Sequence, residues 1–216
     1  MPYFVPPRLA GDAEVVGVGD DLSVAALRDA YYQGIFPWPI PGYPLFWFCP
    51  PRRAVLDFDQ LHVPERLARL RRRTALTFTI DQDFGGVISS CRRSPRPGQA
   101  GTWITPAMIR AYRNLHLAGH AHSVEVWDEA GALVGGLYGV AAGGVFSGES
   151  MFHTVPNASK LALLFLVDHL RARGLSWIDI QMMTPHMAAL GAHEVPRDGF
   201  LDRLDAEHAR GITLFG

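Results

Sequence analysis

The stretch from Val145 to Gln181 constrains this chain more than any other. It reads VFSGESMFHTVPNASKLALLFLVDHLRARGLSWIDIQ. A short apolar strand ending in S-G-E-S-M-F leads into a strongly apolar helix. That helix is expected to run from an Asn157 cap to Arg173, and a second strand follows from Trp177 to Gln181. Three polar side chains, Glu149, Asp179 and Gln181, interrupt this apolar unit. A polar group in an apolar setting costs free energy unless something binds it, so the chemistry is sought here. Asp179 and Gln181 are two apart on a strand and so share a face with Trp177, while Ile178 and Ile180 share the other. An acid beside an amide fits two readings. One is a structural hydrogen-bonded pair; the other is a pair that orients a nucleophilic amine or accepts its proton.

The rest of the chain supplies a frame for this unit. Residues 1–13 are proline-rich and read as irregular. Ser23 is placed to cap a helix from Ala25 to Gln33 that Gly34 ends. G-I-F-P-W-P-I-P-G-Y-P then reads as a loop, too rich in proline for a helix or a central strand. Its aromatics, with Phe46, Trp47 and Phe48 just beyond, fit either a loop packed on the core or a wall for a flat ligand such as a nucleobase. A-V-L-D-F is expected as a strand, and a domain boundary is placed near residue 58. That gives a small N-terminal domain over 1–58 and a larger domain over 59–216. The larger part reads as a basic helix (Pro64 to Arg73), a strand (L-T-F-T-I), a helix from Phe84 to Arg93 and the turn-rich S-P-R-P-G-Q-A-G. A Thr105-capped helix to Leu117 follows, then three strands, H-S-V-E-V-W, A-L-V-G-G-L-Y-G-V and G-V-F-S, which together are dense in glycine. Their glycines point to a close approach by a partner strand or ligand. After the opening unit come a short helix from Thr184 to Leu190 and a last one from Asp198 to Ala209. A meander followed by helix and strand is an α+β arrangement.

Total charge is near neutral, with a net of −1, and gives no global nucleic-acid signal. Locally it is lopsided. Between Gln60 and Arg113 ten arginines face three acids, and five of them, Arg66, Arg69, Arg71, Arg72 and Arg73, crowd one helix. A solvated face and a set of phosphate contacts both fit that helix. Cys49 and Cys91 are too few for a disulfide framework and suit a reducing cytosol. No signal peptide is expected from the first residues, and the apolar run from Leu161 to Val167 is far short of a membrane span of about 18–20 residues. A cytoplasmic protein is the expectation. His116 and His120 lie four apart, but Gly119 breaks the helix between them and no acidic or cysteine ligand sits nearby. No metal is expected. G-V-G-D at 17–20 lacks the spacing of a dinucleotide loop.

Several separated strings carry a family resemblance. They are D-L-S at 21–23, G-I-F-P-W at 34–38, G-T-W-I-T at 101–105, G-H-A-H-S at 119–123, G-E-S-M-F at 148–152, N-A-S-K at 157–160, I-D-x-Q at 178–181 and L-G-A-x-E-x-P-R at 190–197. On these, the sequence resembles the leucyl/phenylalanyl-tRNA–protein transferases from about Gly17 to Leu201. The resemblance implies a GNAT-like acyltransferase domain behind a small N-terminal domain. It implies transfer of Leu, Phe or Met from aminoacyl-tRNA to proteins that begin with Arg or Lys, marking them for N-degron degradation, with no cofactor. It makes Asp179 and Gln181 the catalytic acid and amide, and Glu149 the acid near the acceptor. Trp38 and Trp103 match aromatics that hold the terminal adenosine. Phe146, Leu163 and Ile178 match the donor pocket, with Gly148 counted beside them. Leu137 stands where the family has a methionine and Leu166 where it has a phenylalanine. Phe48 and Cys49 replace a tryptophan and a serine, and the C-terminal tail is shorter.

Aminolysis of an activated ester needs a neutral amine, and an α-amine with a pKa near ~8 requires only mild base assistance. Gln181, oriented by Asp179, is expected to position that amine and assist its deprotonation, and Glu149 to favour a cationic N-terminal residue. The alternative is a GNAT-like N-acyltransferase using acyl-coenzyme A, against which stands the lack of a Q/R-x-x-G-x-G/A pyrophosphate loop. A non-catalytic tRNA-binding module would leave the Asp179–Gln181 pair unexplained.

Overall fold

A computed structural model describes residues 4–95 and 102–216. Arg96 and Gly101, and with them most of S-P-R-P-G-Q-A-G, lie outside the described residues. The N-terminal part builds a small antiparallel sheet from β1 (Val15–Val18), β2 (Phe36–Trp38) and β3 (Phe46–Phe48), with α1 (Val24–Tyr32) between β1 and β2. Ser23 caps α1 by accepting from the Ala26 amide at 3.3 Å. The proline-rich aromatic stretch is therefore not all loop. Pro37 is tolerated because β2 is an edge strand, where a missing N–H costs little. Phe36 and Trp47 are buried as the core of this sheet, and the Trp47 indole donates to the Gly19 carbonyl at 2.8 Å.

The remaining elements are β4 (Arg52–Asp57), α2 (Glu65–Arg73), β5 (Thr77–Ile80), α3 (Phe84–Arg93), α4 (Pro106–Leu117), β6 (Ala121–Trp127), β7 (Leu133–Ala142), β8 (Val145–His153), α5 (Ala158–Arg171), β9 (Trp177–Gln181), α6 (Pro185–Ala188), β10 (His193–Pro196) and α7 (Arg197–Arg210). Seven strands form one sheet in the order β10-β4-β9-β8-β7-β6-β5. β5 to β8 are an antiparallel meander. α5 then crosses to β9, which runs parallel to β8 with a single registered pair, Ser147 with Asp179. β4 inserts between β9 and β10, so a strand on the N-terminal side of residue 58 belongs to the large sheet. β10 carries too little apolar alternation to be read from sequence. β8 extends past G-V-F-S to His153, so Glu149 lies within the strand.

The glycines of β7 are explained by its neighbouring strands and by the helices packed on the sheet. A Cβ at Gly135 would lie 2.6 Å from that of Ala158 on α5, while one at Gly136 would meet the Val124 carbonyl at 2.6 Å and Val87 of α3 at 3.2 Å. The neighbouring strands, at Gly136 and at Gly139 (where a Cβ would meet the Ser147 carbonyl), and helix α5, at Gly135, make the close approach. Asn157 precedes α5 as expected but does not cap it with its side chain. It adopts φ +69°, a left-handed turn that asparagine tolerates better than most residues. The N-terminal segment is held to the large domain by Arg197, which donates to the carbonyls of Pro7, Gly11 and Ala13.

Candidate active site

β4, β9 and β8 lie side by side and bring four polar residues together. Asp179 on β9 is fully buried. Arg53 of β4 donates to both of its carboxylate oxygens at 2.7 Å, Ser147 of β8 donates at 2.8 Å, and the Gln181 backbone N–H donates at 2.8 Å. The guanidinium lies over the rings of Phe36 and Phe200, 4.7 and 4.5 Å from their centroids. Both oxygens of Asp179 are thus claimed by charge-assisted and neutral donors. The expected side-chain pair of Asp179 with Gln181 is not what forms, because the carboxylate takes the backbone N–H instead. Gln181 sits at φ +63°, a left-handed conformation that costs a non-glycine residue of order 1 kcal/mol or more. That turn takes its side chain off the face shared by Trp177 and Asp179. It then faces a cavity together with Ile178 and Ile180.

In the cavity the Gln181 side-chain amide donates to Glu149 at 2.5 Å. Two tyrosine hydroxyls also lie within hydrogen-bonding distance of Glu149, Tyr31 of α1 at 2.6 Å and Tyr112 of α4 at 3.2 Å, and of each other, so their two protons are shared among three contacts. Burial pushes the Glu149 carboxyl up to about 7, against the lowering effect of these three donors. Burial and the adjacent carboxylate push both tyrosines well above their ordinary value, so they remain hydroxyl donors. Tyr31, Tyr112, Arg53 and Ser147 were not singled out from sequence. Each lies in an ordinary local context (Y-Y-Q-G, A-Y-R, P-P-R-R, V-F-S-G), and only the sheet order and helix packing bring them to Glu149 and Asp179.

The cavity measures about 600 Å³. Trp38 and Trp103 stand at its wall, Leu137, Phe146 and Gly148 come from β7 and β8, and Leu163, Leu166 and Ile178 from α5 and β9. Trp38 and Trp103 stack on each other, with ring centroids 5.2 Å apart, so a flat ligand has an outer face to stack on rather than an open slot. Met151, Met182, Met183 and Met187 also line the cavity, four of the six methionines in the chain. Thioether side chains adapt their shape to an apolar guest. The Q-M-M-T-P-H-M string was the available signal for three of them.

A second cavity of about 800 Å³ adjoins the first and is lined by Arg66, Arg69 and Arg73 of α2 and by Lys160 of α5. Arg71 points elsewhere and pairs with Asp168 of α5, while Arg72 is exposed outside the cavity lining. His116 at the end of α4 and His122 of G-H-A-H-S are both engaged. His116 meets the Ala121 carbonyl at 2.8 Å and His122 meets Asp81 at 2.6 Å.

Comparison with known proteins gives this geometry its setting. The sequence model of leucyl/phenylalanyl-tRNA protein transferase matches residues 55–205, and the model of that family's N-terminal domain matches residues 20–51. The chain is 49% identical over 204 residues to the leucyl/phenylalanyl-tRNA–protein transferase of Maridesulfovibrio salexigens, covering 94% of this chain and 85% of that one. It is 51% identical over 191 residues to the protein of that name from Chromohalobacter salexigens, covering 88% and 74%. Against the one from Anaeromyxobacter dehalogenans it is 47% identical over 203 residues, covering 94% and 87%. Among solved structures, L-PGS from Bacillus licheniformis aligns at a TM-score of 0.42 and 16% identity, over 68% of this chain and 48% of that one. The extent and level of these sequence matches establish that the chain belongs to the leucyl/phenylalanyl-tRNA protein transferase family.

Proposed function

We propose that this protein transfers Leu, Phe or Met from aminoacyl-tRNA to proteins with an N-terminal Arg or Lys, so that the product carries a primary destabilising residue. Family membership makes it an aminoacyltransferase with aminoacyl-tRNA as donor and a protein as acceptor. The acyl-coenzyme A alternative draws no support from the relatives. The observation that carries the reading is the apolar cavity of about 600 Å³ with Glu149 and Gln181 in its wall, next to a cavity lined by four cations. A donor side chain enters the part formed by Leu137, Phe146, Leu163, Leu166 and Ile178. The terminal adenosine stacks on the Trp38–Trp103 pair, and the RNA backbone follows Arg66, Arg69, Arg73 and Lys160.

Glu149 is the group suited to take the proton. Its carboxyl lies near 7, close to an α-ammonium at ~8, and close matching favours transfer between them. The amine, once neutral, forms the new C–N bond to the ester carbonyl. The ester C–O bond then breaks, and the ribose oxygen leaves with a proton supplied from the amine through Glu149. Gln181 holds the Glu149 carboxylate and the entering amine in register. Asp179, saturated by Arg53 and Ser147, acts on the reaction through the backbone of Gln181 rather than as a base.

The GNAT-like reading of the large domain is supported by the meander that ends in a helical crossover to a parallel strand. A division near Pro51 rather than residue 58 fits the place of β4 in the large sheet. No helix among the described residues is long and apolar enough to cross a membrane. A cytoplasmic setting remains our proposal, favoured by an aminoacyl-tRNA donor. The test is incubation with labelled Phe-tRNA, Leu-tRNA or acetyl-coenzyme A and a peptide beginning with Arg. Label should pass from tRNA to peptide; label passing only from coenzyme A would replace this reading with the alternative.

A further inference from the structure

The two cavities have one lining residue in common, His186. It stands on α6, between the cationic cavity and the donor cavity. Its Nε2 is enclosed and has no hydrogen-bond partner, whereas Nδ1 is neither enclosed nor hydrogen-bonded among the described residues. His193 and His208 also carry an enclosed nitrogen without a hydrogen-bond partner, but neither lines either cavity, and four further histidines are engaged. His116 meets the Ala121 carbonyl, His122 meets Asp81, His153 meets Ser159 at 3.1 Å and His169 meets the Leu214 carbonyl at 2.9 Å. A ring with no protein partner at a passage between two cavities has capacity left for a ligand.

We propose that His186 grips the single-stranded 3′ end of the donor RNA as it passes from the cationic cavity into the donor cavity, hydrogen-bonding a ribose or phosphate oxygen through Nδ1–H. This rests on the aminoacyl-tRNA reading above. An aminoacyl ester sits at the very end of the RNA. If the amino acid and terminal adenosine fill one cavity and the preceding backbone follows the cations of the other, the strand must cross at His186. Placing the proton on Nδ1 leaves the enclosed Nε2 as a bare lone pair. It also puts the one N–H on the nitrogen that is not enclosed. Burial lowers the imidazole's pKa, and Lys160 and His153 push the same way, so the contact is made by a neutral ring. The helix does not depend on the imidazole, because Thr184 caps α6 by accepting from the Met187 amide at 3.2 Å. Substitution therefore leaves the local backbone supported.

The test compares Phe-tRNA with 3′-phenylalanyl-adenosine, a short donor that ends inside the donor cavity. His186→Phe keeps a ring and removes both nitrogens. It is expected to raise KM for Phe-tRNA about 3- to 10-fold, the worth of one neutral hydrogen bond, with kcat close to wild type. The KM penalty on the short donor should be several-fold smaller. His186→Asn, which keeps a donor near Nδ1, should recover most of the affinity. Because the contact carries no charge, the salt dependence of Phe-tRNA binding should match wild type. Equal penalties on both donors, or an unchanged KM for Phe-tRNA, would overturn the contact. If His186→Phe does not fold, the same comparison with His186→Ala decides. Wild-type protein inactive with both donors would instead overturn the transferase reading itself.

Discussion

Arg53 holds both carboxylate oxygens of Asp179 at 2.7 Å, with each side chain almost wholly enclosed. Arg53→Met leaves a buried carboxylate without its cation and should cost about 3–5 kcal/mol in urea unfolding. Adding Asp179→Leu removes the stranded charge and should restore most of that stability. Transfer activity should stay low in the double variant, because the Gln181 backbone N–H no longer has the oxygen that holds its left-handed turn. Recovery of activity together with stability would make Asp179 purely structural.

Leu166 is about 1% exposed and lines the cavity proposed for the donor side chain. Leu166→Phe fills space that a donor side chain would use. Small volume differences in such pockets are worth about 1–3 kcal/mol. In direct competition, kcat/KM for Phe-tRNA should fall roughly 10-fold relative to Leu-tRNA. An unchanged ratio would remove Leu166 from donor recognition.

Arg66 and Arg73 line the cationic cavity, whereas Arg72 lies outside it. The double variant Arg66→Glu/Arg73→Glu should weaken tRNA binding. It should also flatten the plot of log affinity against log salt, by about 0.7–0.9 for each phosphate no longer neutralised. Arg72→Glu should flatten it less. Equal effects from all three positions would indicate diffuse attraction instead of a defined path.

Glu149 also makes folding pH-dependent. Its carboxyl is raised from an ordinary value of 4.5 to about 7 in the folded chain. The stability this contributes is fully present below 4.5 and is lost as pH rises through about 7. Urea midpoints between pH 5 and 8 should therefore fall less in Glu149→Gln than in wild type. Parallel curves would mean that Glu149 titrates normally.

Much of this was legible in the sequence where periodicity or caps carried the signal. α1, α3, α4 and β9 begin and end within a residue or two of their expected limits, because Ser23, Asp83 and Thr105 cap by side-chain hydrogen bonds that local sequence encodes. The six residues expected in the donor pocket and the two expected at the adenosine all line one cavity. What the sequence hid was long-range. β4 enters the sheet beside β9 across more than a hundred residues, and that pairing alone sets Arg53 against Asp179. The alternation rule put Gln181 on the face of Asp179. The left-handed turn at Gln181 broke the alternation and sent the side-chain amide to Glu149 instead. Tyr31 and Tyr112 reach the same carboxylate from two helices in different parts of the chain, which no local pattern announces.

The most direct measurement is the pH dependence of single-turnover transfer from Phe-tRNA to an Arg-initiated peptide at saturating acceptor, in wild type and Glu149→Gln. Ionised Glu149 is the form that takes a proton, so the wild-type rate should rise with pH through about 7. Glu149→Gln should lose that limb and fall about 10²- to 10⁴-fold, the usual worth of a positioned base. A folded Glu149→Gln protein that keeps the rise through 7 and stays within a few-fold of wild type would contradict the role given to Glu149.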